Sequence, residues 1–259
     1  MVEKKRQFDS AHQVRMACRN NELDYFPSLA ISGHLCVNIV MMDERFAPDF
    51  EAFCRKNPVP CPLLGMAGPG IRECPEFGRD IDLCTDLRSY DVYRDGEKVE
   101  TRKDVADLFT PRTRTFLIGS SVSFDGLLVE KGWAPSFGPC IYLASMECHP
   151  VGRYSGRIAV TMRSFLPGIA DRVAEYTAHF PKCHGGPVGR NNPEKLGILD
   201  EKDQLVPYPG WVPDGHDKLY WACGITPSIV AREAKLPLMI VHTPGNAMVT
   251  DVKTMDLYE

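Results

Sequence analysis

Thr115-Phe116-Leu117-Ile118-Gly119-Ser120-Ser121-Val122-Ser123-Phe124-Asp125-Gly126-Leu127-Leu128 is the stretch on which the fold turns. Its first four residues form an apolar run of buried-strand length, Gly119-Ser120-Ser121 ends the run, and Phe124, Leu127 and Leu128 then recur at helical spacing. A strand that feeds a helix through small polar residues is a building unit of α/β proteins. The same alternation continues outward. Leu35 to Met42 reads as a buried strand interrupted only by Asn38; Ile141 to Met146, Ile158 to Met162, Leu219 to Ala222 and Leu238 to Val241 read as further strands. Helices are expected over Glu3 to Asn20, over Ala47 to Lys56 (ending before Pro58), over Ile169 to Phe180 and over Ser228 to Lys235. Tyr90 to Val99 predicts a hairpin turning at Asp95-Gly96, followed by a short charged helix. From His184 to Gly215 the density of Gly and Pro predicts an ordered connecting loop. The expected sheet is parallel or mixed and covered on both faces. Residues 115–182 are expected to form a smaller inserted lobe, with 1–114 and 183–259 forming the main one.

At 259 residues and 44% hydrophobic content the chain can bury a substantial core. Thirty basic against 34 acidic side chains give a net charge of −4, which offers no positive field for gripping nucleic acid. No stretch approaches the roughly 18 to 20 unbroken apolar residues of a membrane span, and the first twenty residues lack an apolar leader core. A cytoplasmic protein, with no nucleic-acid or membrane partner and a homodimer as one assembly open to it, is the expectation. The ten cysteines are scattered, with no Cys-X-X-Cys pair and no zinc-knuckle spacing, so reduced thiols and no metal or other cofactor are expected.

Four expected strands end in small, polar or ionisable clusters: Gly119-Ser120-Ser121, Met162-Arg163-Ser164, Cys223-Gly224-Ile225-Thr226 and His242-Thr243-Pro244-Gly245. Ligands of α/β sheets bind outside the carboxyl ends of strands, so these clusters are the candidate site. Ser121 or Ser123 and Thr226 are placed to cap helices, with Pro227 suited to the first helical position, and the amides behind such caps receive anions. Plain capping is the alternative. His184, in a Gly-Gly-Pro bend, and His242 are the candidate acid and base, since imidazole titrates near neutrality; bonding to local backbone is the bland reading of each. Arg163 closes an apolar strand and needs an anion there, either a substrate carboxylate or an internal partner among Asp86, Asp125 and Asp251. Cys223 lacks a neighbouring cation in sequence and reads more readily as packed bulk than as a nucleophile. No phosphate loop, Gly-X-Ser-X-Gly elbow or His-Glu-X-X-His pair occurs.

From about Val14 to Asp251 the chain resembles the YcsI-like hydro-lyase family, relatives of which form the amino-terminal part of mitochondrial D-glutamate cyclase. The resemblance is carried by Asn57-Pro58-Val59-Pro60-Cys61-Pro62-Leu63-Leu64, Thr85-Asp86-Leu87, Tyr93-Arg94-Asp95-Gly96-Glu97, Gly119-Ser120-Ser121-Val122-Ser123-Phe124, Met162-Arg163, His184-Gly185-Gly186-Pro187-Val188, Trp221-Ala222-Cys223-Gly224-Ile225-Thr226-Pro227 and His242-Thr243-Pro244-Gly245. It implies a three-layer α/β/α lobe joined to a smaller two-layer α+β lobe. The chain departs from the family pattern at Cys84, Ser120, Val122, Asp125, Leu143, Gly189 and Asn246.

The function expected is that of a hydro-lyase that adds or removes water on a small carboxylate substrate. His184, His242 and Asp125 are its expected catalytic groups, and Ser120, Ser121, Arg163, Cys223, Thr226 and Asp86 its expected substrate contacts. Ring opening or closing of a lactam such as 5-oxoproline is a second reading, suggested by the resemblance alone. A non-catalytic carboxylate-binding or assembly protein is a third.

Overall fold

The computed structural model describes residues 8–259. Its elements in chain order are α1 (Ala11–Arg19), β1 (His34–Asp43), α2 (Ala47–Lys56), β2 (Leu63–Ala67), β3 (Tyr90–Arg94), β4 (Glu97–Arg102), β5 (Thr113–Gly119), α3 (Asp125–Glu130), β6 (Phe137–Glu147), β7 (Arg157–Phe165), α4 (Pro167–Ala178), β8 (Gly189–Arg190), β9 (Asp217–Ala222), α5 (Thr226–Glu233), β10 (Met239–His242) and β11 (Met248–Lys253). The part of the opening-helix expectation before Phe8 lies outside the described residues. Helix α2 has the expected limits, and the expected turn after β3 has positive φ at both Asp95 and Gly96. The expected short helix after β4 is absent: the segment through Phe109 makes turns, with Val105 buried and its N–H on the Cys84 carbonyl.

Seven strands form the larger sheet in the order β2-β5-β1-β10-β3-β4, with β11 also paired to β1, and four form the smaller in the order β6-β7-β9-β8. Every pairing between these strands is antiparallel. The expected parallel or mixed sheet is therefore corrected. Apolar runs such as Leu35 to Met42 report burial on both faces, which antiparallel strands satisfy equally when helices cover the sheet.

One face of the larger sheet, with Val40, Phe116, Ile118 and Val241, packs on Phe50 and Phe53 of α2 and Val230 and Ala231 of α5. The other, with Val37, Ile39, Leu117 and Ile240, packs on Ala170 and Val173 of α4 and on Phe165, Leu219 and Trp221 of the smaller sheet. The chain is an α/β protein whose two sheets share one core. Sheet membership runs across the limits 115 and 182, since β5 lies in the larger sheet and β9 in the smaller.

Candidate active site

The site forms where the smaller sheet meets the ends and middle of the larger. In β1 every neighbour of Asn38 is apolar, and its side chain is buried with Nδ2 donating to the Gly119 carbonyl at 3.2 Å. Close packing requires glycine at two positions here. A Cβ on Gly224 would lie 1.7 Å from Asn38 Nδ2, and one on Gly119 would lie 1.8 Å from the Lys182 carbonyl oxygen. Around Asn38 a cavity of about 70 Å³ is lined by Ser120 and Ser121, by Thr161, by Cys223 and Ile225, and by His242. Three of the four strand-end clusters thus meet on one small space.

The fourth reaches it through Arg163, which is fully buried in β7. Its Nη2 donates to Ser121 Oγ at 3.2 Å and to Asp125 Oδ2 at 3.0 Å. Nε stands 3.0 Å from Asp125 Oδ1, close enough for an ion pair but too poorly aligned for a hydrogen bond. The guanidinium lies over the rings of Phe124 and Trp221, 5.6 and 5.4 Å from their centroids. Nη1 is buried and has no partner. Of the three carboxylates the sequence offered, Asp125 is the internal one.

His184 sits beside this pair, with the left-handed φ of 78°. Its Nδ1 lies 2.8 Å from the Val59 carbonyl, which can only accept. Nε2 is buried without a hydrogen-bond partner. Burial pushes the imidazole down to about 4; the Val59 and Gly119 carbonyls oppose that shift and the Arg163 charge adds to it. At neutral pH it is an uncharged imidazole, and the close Val59 carbonyl favours the proton on Nδ1. His242 is also driven to about 4, chiefly by burial, with the Ile39 carbonyl and Asp91 pulling the other way, and its Nδ1 has no partner. Burial raises the Cys223 thiol, while the Thr161 hydroxyl, the Ile225 amide and Arg163 favour its thiolate.

The remaining residues serve elsewhere. Thr226 does not cap α5: the cap position is Ile225, and Thr226 Oγ1 accepts from the Ala159 N–H at 3.0 Å, tying the helix to β7. Nor do Ser121 and Ser123 cap α3, whose cap position is Phe124; Ser123 Oγ instead accepts from the Cys36 N–H and donates to the Cys36 carbonyl. Pro227 does occupy the first turn of α5. Asp86 belongs to a separate buried cluster, accepting from Arg19 Nε at 2.7 Å, and Asp251 pairs with Arg15. Asp125 and Asp251 are thus each taken by an arginine. Asn38 and Thr161 are the residues that sequence reading missed. The signal for Asn38 was present, as a polar residue interrupting an apolar strand; Thr161 lay inside one. Among the described residues, no three His, Cys, Asp or Glu side chains converge as a metal would need. All ten cysteines are buried free thiols, and among the described residues no helix is long and apolar enough to cross a membrane.

Strands of two sheets thus close on a small, mostly apolar cavity with several polar side chains on its wall and a buried cation and a neutral imidazole nearby. Residues 114–251 match the D-glutamate cyclase family model. A protein named "Putative hydro-lyase" from Methylobacterium sp. (strain 4-46) is 37% identical over 93% of this chain and 92% of its own length. One of the same name from Staphylococcus carnosus is 35% identical over 94% and 95%. The chain belongs to the D-glutamate cyclase family, together with these relatives named as putative hydro-lyases. A nitrogen repressor-like protein of known structure from Methanococcus jannaschii aligns over 98% of this chain and 99% of its own at 12% identity and a TM-score of 0.41, a likeness too slight to carry an argument.

Proposed function

We propose that the chain is an enzyme that removes water from, or returns it to, a small carboxylate substrate held between the 70 Å³ cavity and Arg163. The observation that carries this reading is a pair of buried atoms without partners around the Gly119–Ser121 turn: Arg163 Nη1, a cationic donor, and His184 Nε2, a base. Folded chains rarely leave such atoms unpaired unless something else satisfies them. In the proposed reaction Arg163 Nη1 holds a substrate carboxylate, Nε2 of His184 takes the proton that substrate must lose, and the Ser121 hydroxyl delivers a proton to the departing oxygen. Asp125 keeps Arg163 in place through the side-on ion pair. His242, Cys223, Ser120, Thr161 and Asn38 shape the cavity, with His242 a second candidate for proton transfer.

Two substrates meet these demands. In one, water leaves from a carbon–carbon bond beside a carboxylate. In the other, the amine of D-glutamate attacks its own distal carboxyl group, expels water and closes to 5-oxoproline; the family match favours this second case as the first to assay. Ten buried free thiols accord with the cytoplasmic location expected from the sequence. The test is turnover of D-glutamate and 5-oxoproline by the parent and by His184→Asn, a side chain that tolerates left-handed φ and can still donate to Val59. Turnover should fall about a hundredfold or more with the thermal midpoint unchanged. Equal turnover by both removes His184 from the chemistry. No turnover of these acids or of hydroxy-acid substrates, with the acids still binding, replaces the enzyme by a non-catalytic acid-binding protein.

A further inference from the structure

Behind the wall formed by Ile225 and His242 lies a second hollow, of about 130 Å³, between α5 and the β3–β10 edge. The two spaces also meet at the Ile141–Val206 bridge, since Ile141 lines the inner cavity and Val206 the outer hollow. Ser228 and Arg232, one turn apart on α5, both line it, with Tyr93 and Asp91 opposite. Ser228 Oγ is sealed from water and makes no hydrogen bond. Arg232 has only a 3.9 Å contact to its neighbour Glu233, both about half exposed, an arrangement of little energetic worth. Asp91 would repel an anion were it free, but Lys98 Nζ sits 2.8 Å from it and the hydroxyls of Thr101 and Thr243 donate to it. What remains unanswered among the residues lining the hollow is one cation, one buried hydroxyl and the Nδ1 of His242, a neutral ring shared with the inner cavity.

We propose that this outer hollow is a carboxylate-binding subsite in which Arg232 grips an acid group and Ser228 donates to one of its oxygens. A guanidinium beside a hydroxyl is a natural receptor for a planar carboxylate. The space admits a small organic acid and no larger ligand. The acid group has two sources: the far end of a substrate whose reacting end lies in the inner cavity, or a separate small acid held at its door. The inference stands on these side chains and not on turnover in the inner cavity.

Calorimetric titration with glutarate, and with the neutral glutaramide as control, tests it on the full chain. Glutarate should bind and glutaramide should not. Arg232→Gln should weaken glutarate about tenfold or more and Ser228→Ala about threefold, with Arg232→Lys, which keeps the charge but not the fork, falling between Arg232→Gln and the parent. His184→Asn should bind glutarate like the parent, which separates this subsite from the proposed chemistry. If Arg232→Gln raises KM while kcat holds, the acid group is the substrate's own; if glutarate changes the rate without competing, it is a separate acid. Absence of glutarate binding by the parent, or binding by Arg232→Gln as tight as the parent's, overturns the proposal.

Discussion

Arg15 and Arg163 are both fully buried and both meet carboxylates, and they differ in what is left over. Around Arg15, Nη1 bonds the Val249 carbonyl and Asp251 Oδ1, Nη2 bonds the Arg79 carbonyl, and Asp86 stands 3.8 Å from Nε. Both ends of that guanidinium are used, and its partners are in turn held: Asp86 accepts from Arg19 and the Asp82 N–H, and Asp251 from the Arg79 N–H. The cluster joins α1 to β11 and the segment before β3. Arg163 has one carboxylate, one hydroxyl and a terminal nitrogen with nothing to bond, beside a histidine nitrogen in the same condition. Arg15 has both terminal nitrogens bonded and only Nε without a hydrogen bond, which suits structural work, whereas Arg163 keeps a terminal nitrogen unpaired, as the substrate-holding role proposed for it requires.

The comparison breaks most visibly on stability. Arg15→Met takes one of two cations from the fully buried Asp86, leaving Arg19, and removes the arginine paired with Asp251; it should cost about 3 kcal/mol, read as a lowered midpoint in urea. Arg163→Met leaves only Asp125, whose side chain is 29% exposed and can rehydrate, so its loss should be smaller. Equal losses would mean that Arg163 is as structural as Arg15.

Acid should act next most strongly, and on the site more than on the Arg15 cluster. His184 and His242 titrate near 4 in the fold against about 6.5 unfolded. Above 6.5 both states leave them neutral and stability is unaffected. As pH falls from 6.5 toward 4, the unfolded chain binds protons that the native site excludes, and each histidine removes roughly 3 kcal/mol. Denaturant midpoints should therefore drop across that window and level off for these groups below it. His184→Asn should flatten the drop; an unchanged slope would show that burial of His184 does not control it.

The smallest effect concerns Thr226, whose hydroxyl is bonded to the Ala159 backbone. Thr226→Val deletes the two bonds to Ala159 while keeping the shape, and should cost about 1 kcal/mol or slightly more with KM unaltered. A raised KM would return it to the site.

Local features of the chain were legible and long-range ones were not. The limits of α2, the Asp95-Gly96 turn, the strand over Thr115 to Ile118 and the placing of Pro227 in the first turn of a helix follow from turn chemistry and periodicity over a few residues. Strand direction does not, because an apolar run carries burial but no orientation; hence the wrong expectation of a parallel or mixed sheet. β2 and β11 escaped notice because Leu63–Ala67 and Met248–Lys253 are short and carry no clean alternation. In the site, Ser120, Ser121, Cys223 and His242 were found as strand-end clusters, and the structure brings them onto one cavity. Arg163 was known to need an anion, but choosing Asp125, 38 residues away, over Asp86 and Asp251 required the fold. Asp86 and Thr226 looked alike to the functional residues because a buried polar side chain reads the same whether its partner is internal or a ligand.

The most direct measurement pairs Arg163→Lys with Arg15→Lys, scoring turnover of the small acid substrate and thermal midpoint on the same samples. Lysine keeps the charge and loses the planar fork. Arg163→Lys should lose turnover tenfold or more while its midpoint stays within a few degrees of the parent, and Arg15→Lys should lose several degrees with turnover per folded molecule retained. Turnover that falls only in proportion to the loss of midpoint in both variants would contradict the assignment of the unsaturated arginine to the active site.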